Sequence, residues 1–193
     1  MSKTQLICAL MAMACTLPAS AATYTLVVAG LGGEQTYEQK FREQAAAVAS
    51  AAEKSTGSAE QVIALSGDAA KADAVRRAIK TLGSKMSAND SIVIVLIGHG
   101  SYDGENYRFN LPGPDLTDTE LARLFDELPA RDQLIINATS ASGAVAERWQ
   151  KPKRVVITAT KSGGERTATR FAQYWAEAVA SEAADTNKDQ IVT

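Results

Sequence analysis

Cysteine is nearly absent from the 193-residue sequence, and the two that occur, Cys8 and Cys15, both fall within its first two dozen residues. Those residues read as an export leader. Met1 and Lys3 carry early positive charge, residues 6–17 form a short apolar run, and Pro18 breaks it. Ala19-Ser20-Ala21 then offers the small side chains that a signal peptidase accepts, so cleavage is expected after Ala21 or Ala22. The apolar run falls short of the roughly 20 residues a membrane span needs. Lipid attachment at Cys15 is an alternative route, although the preceding Ala12-Met13-Ala14 is atypical for it. Cleavage after Ala21 leaves 193 − 21 = 172 residues without any cysteine. Such a chain has no disulfide, no thiolate metal ligand and no cysteine nucleophile. Its expected location is periplasmic or secreted.

An excess of charge of one sign is also lacking. The sequence holds 20 Lys and Arg against 22 Asp and Glu; without Lys3 the balance is 19 against 22, a net charge of −3. Nothing here calls for a nucleic-acid partner, and the short cluster Lys151, Lys153, Arg154 reads as a solvated loop. No membrane span and no cofactor are implied. Histidine occurs once, as His99.

What is present is an alternation of strand and helix patterns. β-rich apolar runs occupy residues 24–29, 61–65, 91–97, 134–138 and 154–159. Helical spacing covers 36–54, about 71–82, 117 or 118 to 128, and 165–183. Residues 91–97 are almost purely Ile, Val and Leu, the mark of a central strand buried on both faces. The alternation predicts an α/β fold, a three-layer αβα sandwich on a mainly parallel sheet. The longest irregular stretch is expected over 102–114. The organisation expected is a signal peptide over 1–21, one α/β domain over 22–184 and a polar tail over 185–193.

Ligands of open parallel sheets bind beyond the carboxyl ends of the strands. Gly98-His99-Gly100-Ser101 follows the third strand, and Asn137-Ala138-Thr139-Ser140-Ala141-Ser142-Gly143 leaves the fourth. An imidazole acts as a general base near neutral pH, and Ser140 or Thr139 offers a hydroxyl for it to activate. The Gly100 amide, with that of the nucleophile itself, is placed to stabilise an oxyanion. Gly30-Leu31-Gly32-Gly33 lacks the last glycine of a dinucleotide loop and reads as a tight strand-to-helix turn; a nucleotide or sugar binder is the weaker reading that would use it. Asp185, Asn187 and Asp189 occupy the first, third and fifth positions of a calcium loop, but Gln190 stands where glycine is wanted.

An apolar strand ending in His-Gly, followed about 40 residues later by a strand ending in a hydroxyl-rich loop, resembles the caspase–haemoglobinase peptidases of clan CD. These include legumains, metacaspases, caspases and gingipains, and bacterial legumain-like sequences are the nearest match. The resemblance runs from Tyr24 to about Ala180. It implies a caspase-like sandwich, a peptide or protein as substrate or ligand, and a site in which His99 pairs with a residue of the fourth-strand loop. In those families that residue is cysteine; here it is a hydroxyl residue. The legumain pattern Cys-x-Ser-Gly matches Ser140-Ala141-Ser142-Gly143 and puts Ser140 at the nucleophile. The caspase pattern Ile-Ile-Gln-Ala-Cys matches Ile135 to Thr139 and puts Thr139 there. Ser140 is preferred because a primary hydroxyl is less hindered. Two functions stay open: a legumain- or caspase-like peptidase homologue working as a serine-variant hydrolase, and a catalytically inactive caspase-fold binding or scaffold protein.

Overall fold

The run Ser91–Ile97 forms β3, which has a strand hydrogen-bonded along each edge and helices packed over each face. The computed structural model describes residues 21–181 and Lys188. On one edge β3 pairs in parallel with β1 (Thr23–Ala29), from Thr23↔Ser91 to Ala29↔Ile97. On the other it pairs in parallel with β7 (Asp132–Asn137), from Ser91↔Asp132 to Leu96↔Asn137. The strands β2 (Val62–Leu65) and β8 (Arg154–Thr158) complete an all-parallel sheet in the order β2-β1-β3-β7-β8.

Side chains alternate between two cores, as the pleat requires. Leu26, Val28, Ile92, Ile94, Leu96 and Ile135 face α2 (Ala72–Lys85) and α3 (Asp118–Asp126), whose Val75, Ile79, Leu82, Leu121 and Phe125 cover them. Val27, Ala29, Val95, Ile97, Ile136 and Ala138 face α1 (Gln35–Thr56) and α4 (Phe171–Ala180), through Phe41, Ala45, Val48, Ala172 and Ala176. The result is the three-layer α/β sandwich that the alternation of patterns implies. The α3 helix begins where expected: Thr117 Oγ1 accepts from the Glu120 N–H at 3.2 Å, and Asp118 and Glu120 place negative charge at the amide end. Among the described residues no helix is long and apolar enough to cross a membrane.

Two expectations need correction. The stretch 102–114 is not irregular throughout. It contributes to a three-stranded antiparallel sheet of β4 (Gly100–Tyr102), β5 (Tyr107–Phe109) and β6 (Leu116–Thr117). Asp103 organises the hairpin, its Oδ1 accepting from the Glu105 and Asn106 amides at 3.0 and 2.8 Å. Second, α4 starts at Phe171, not at Glu165. The Glu165 carboxylate accepts from the Lys161 and Ser162 amides, and its carbonyl accepts from the Ala141 N–H. Tertiary hydrogen bonds thus hold 161–170 as a loop against the end of β7, overriding helical propensity. Residues 1–20 of the expected leader, the calcium-like residues Asp185, Asn187 and Asp189, and the end of the expected last helix lie outside the described residues.

Arg154 enters β8 with its side chain only 4 % exposed. Its guanidinium donates to Asp126 at 2.8 Å, to Gln133 Oε1 at 2.7 Å and to the Trp149 carbonyl at 3.3 Å, and Lys151 also pairs with Asp126. Burial pushes the Asp126 carboxyl up, but the hydrogen bonds from Lys151 and Arg154 outweigh it and hold it below the usual range. A carboxyl depressed in the fold stabilises it above the unfolded value, about 3.9, and that stability is lost as pH falls through the folded value. Asp126→Asn should therefore lower the melting temperature at neutral pH and flatten its decline below about pH 4. Thermal unfolding followed across pH checks this; an acid limb as steep as the wild type's would refute it.

Candidate functional site

The β3–β7 register sets the site. Val93 lies opposite Leu134, an offset of 134 − 93 = 41, and His99 and Ser140 are separated by the same 140 − 99 = 41. The pairing ends at Leu96↔Asn137, and both residues lie in the loops that leave these adjacent strands and line one cleft. Contacts beyond the strand ends set the faces. His99 packs on Tyr37 and Phe41 of α1. Thr139 bonds to Tyr107, which packs in the α2–α3 core. Gly98, at φ +139, turns the chain out of β3, a conformation that side chains rarely adopt.

A cleft of about 550 Å³ opens at this end of the sheet. His99, Gly100, Ser101 and Ser140 line it, with Gly32, Gly33, Glu34 and Tyr37 on one side and Tyr102, Asn110 and Arg166 on the other. The His99 ring meets Tyr37 and Phe41 edge-to-face, with centroids 5.2 and 5.3 Å away. Among the described residues its imidazole makes no hydrogen bond, to Ser140 or to a carboxylate, so nothing fixes its tautomer for base catalysis.

Ser140 is 1 % exposed, and its hydroxyl is engaged with Gly100 in both directions. Its Oγ accepts from the Gly100 N–H at 3.1 Å and donates to the Gly100 carbonyl at 3.1 Å. The expected nucleophile and the expected oxyanion donor are therefore each other's partners. Gly100 must be glycine: a Cβ there would lie 2.4 Å from the Ser140 carbonyl oxygen, 2.5 Å from the Tyr107 ring and 2.8 Å from Thr139 Oγ1.

Thr139 does not line the cleft; it is fully buried beneath it. Its hydroxyl lies 2.7 Å from the Tyr107 hydroxyl, 2.8 Å from Asn137 Oδ1 and 3.0 Å from the Ser140 carbonyl. Burial pushes the Tyr107 hydroxyl up to about 12, although its bonds to Thr139 and Asn137 pull the other way. Tyr107 is thus a neutral hydrogen-bonding group at physiological pH. Asn137 Nδ2 is buried without a partner among the described residues. The third hydroxyl residue of this loop, Ser142, holds the next strand's exit, accepting from the Ala159 and Thr160 amides at 3.0 and 3.1 Å.

Several cleft residues carried no sequence signal of their own. Tyr37 reads as an ordinary apolar-face residue of α1, and Arg166 as part of a helix. The strand-to-helix turn Gly30 to Gly33 brings Gly32 and Gly33 to the cleft, and the Gly32 N–H donates to Glu38 Oε2 at 2.8 Å. Among the described residues no group of His, Cys, Asp and Glu could hold a metal ion.

No protein-family model matches the chain, and no curated protein matches it. Among solved structures, the Drosophila initiator caspase Dronc is similar with a TM-score of 0.54 at 11 % identity, over 85 % of this chain and 67 % of its own. The fold is caspase-like. The protein GSU0716 from Geobacter sulfurreducens is similar over 88 % of this chain and 66 % of its own, at 15 % identity and a TM-score of 0.47. The chain thus spans about two thirds of the length of each.

The contacts at Gly100 lead to a sharp contrast between two substitutions. Gly100→Ala would force a methyl group onto backbone and a buried ring and should cost about 3 kcal/mol of stability. Ser140→Ala leaves one N–H and one carbonyl unpaired and should cost about 1–2 kcal/mol. Chemical denaturation of both variants measures this, and a Gly100→Ala protein as stable as wild type would contradict the packing described.

Proposed function

We propose that this chain is an exported caspase-fold protein whose cleft binds a peptide or protein segment without cleaving it. The observation that carries this reading is the reciprocal bond between Ser140 and Gly100. A serine nucleophile depends on a base that takes its proton, and an oxyanion site depends on amides free to donate. At this junction the Ser140 proton goes to the Gly100 carbonyl, and the Gly100 amide is directed at Ser140 Oγ. The His99 imidazole has no orienting carboxylate, which a serine triad uses to hold the base. A binding role draws on the cleft lining: the Ser101 hydroxyl and the Asn110 amide, which bond to each other at 3.1 Å and keep further donor and acceptor capacity, the aromatic wall of Tyr37, and opposite charges from Glu34 and Arg166.

A second reading, a legumain-like serine-variant hydrolase, draws on the placement of His99 and Ser140 in one cleft at the ends of adjacent parallel strands. The two readings differ in reactivity toward a fluorophosphonate serine probe. The purified mature protein should label no faster than its Ser140→Ala variant, and peptides incubated with it should stay intact. Labelling at Ser140 that is abolished in His99→Ala would overturn the binding reading in favour of the hydrolase. Export is checked separately. Protein recovered from cells should lie outside the cytoplasm and begin near Ala22; N-terminal sequencing that still reads Met1 would end that part of the proposal.

A further inference from the structure

Asp90 sits in the turn before β3 and is 7 % exposed. Among the described residues no lysine, arginine or histidine forms an ion pair with it. Its Oδ2 accepts from the Ser87 N–H at 2.6 Å. Its Oδ1 accepts from the backbone N–H of Ala22 at 2.7 Å. The Ala22 and Ser87 amides, in that order, hold this carboxyl below the usual range against the opposing effect of burial. Ala22 itself is half-buried against the α2–α3 core, and its carbonyl accepts from the Ser91 N–H at 2.9 Å. Ala21, one residue earlier, is exposed.

These contacts separate the two cleavage positions that the leader leaves open. Cleavage after Ala22 would remove the group that Asp90 holds and the carbonyl that starts the β1–β3 pairing. Cleavage after Ala21 would keep both and change the chemistry of the first. Water adds across the Ala21–Ala22 bond, Ala21 departs with the new carboxylate, and Ala22 retains its nitrogen as a protonated amine.

We propose that Asp90 is a receptor for the α-ammonium of Ala22, freed when a leader-cleaving peptidase hydrolyses the Ala21–Ala22 bond. The proposal relies on the export reading for the cleavage alone and is independent of what the cleft does. A buried carboxylate without a counter-charge is costly, and an ammonium in place of the amide supplies that charge at a position already within hydrogen-bond distance. Processing would therefore make the mature fold more stable than the uncleaved chain.

The test compares mature proteins with defined N-termini: one starting at Ala22, the same chain Nα-acetylated, and one starting at Ala21. Acetylation keeps the N–H and removes the charge, so it isolates the ion pair. The free Ala22 form should melt roughly 3–6 °C above the other two. In the Asp90→Asn background that gap should vanish; should this variant not fold, the acetylated comparison decides alone. An acetylated form as stable as the free one, a gap that persists in folded Asp90→Asn, or exported protein beginning beyond Ala22 would each overturn the proposal. None of these measurements involves fluorophosphonate reactivity, so a failure here and a failure of the binding reading stay distinct.

Discussion

The parallel pairing of β3 with β7 is the constraint on which the rest depends. Both strands are covered on both faces, so their register is set by two cores at once. A slip of one residue would send Ile94 and Ile135 to the α1 side and Val95 and Ile136 to the α2–α3 side. Because the strands are parallel, their carboxyl ends open at the same edge of the sheet. The loops after Ile97 and Asn137 therefore meet, and the fixed register decides which side chains meet. His99 and Ser140 line the cleft, and Thr139 is buried against Tyr107. Adjacent residues of one loop thus serve different surroundings, one at the cleft and one in the core.

Where these loops meet, polar groups have been taken out of water, and the structure satisfies nearly all of them internally. Ser140 serves Gly100; Thr139, Asn137 and Tyr107 serve one another. Such a network orders the loops because an unpaired buried group is costly. The same network ties up the hydroxyls that a hydrolase would need free. Tyr107, held neutral by burial, supplies a hydrogen-bonding group under the cleft without adding charge to it.

Much of the fold was legible because it rests on local patterns. The Ile, Val and Leu run of 91–97 announces a central strand, and Thr117 three residues before Glu120 announces a helix start. Positions beyond each strand end were legible too, since His99 and the 137–143 loop are polar segments leaving apolar ones. The small antiparallel sheet was less so. Its strands are two or three residues long, too short for alternation to register, although Asp103-Gly104 is a hairpin signal in its own right. Residues 165–170 were misread as helix because the Glu165 side chain and backbone find partners in its own turn and in Ala141, contacts invisible to helical periodicity. The Ser140–Gly100 bond spans 40 residues of chain, and only the assembled register creates it.

The identity of residue 140 matters for a reason beyond nucleophilicity. A serine hydroxyl is a strong donor and a strong acceptor at once, whereas a thiol is weak in both roles. Only a group of the first kind can bond well to the N–H and the carbonyl of the same residue. Serine at this position therefore acts as a tie between the two loops, joining the end of β7 to the start of β4. A thiol would hold Gly100 far less firmly and would leave its amide available to a ligand oxygen. Exchanging a thiol for a hydroxyl here alters two properties together: the side chain becomes less reactive, and the amide beside it becomes occupied. The identity of residue 140 is thus coupled, through Gly100, to the closure of the junction between β7 and β4.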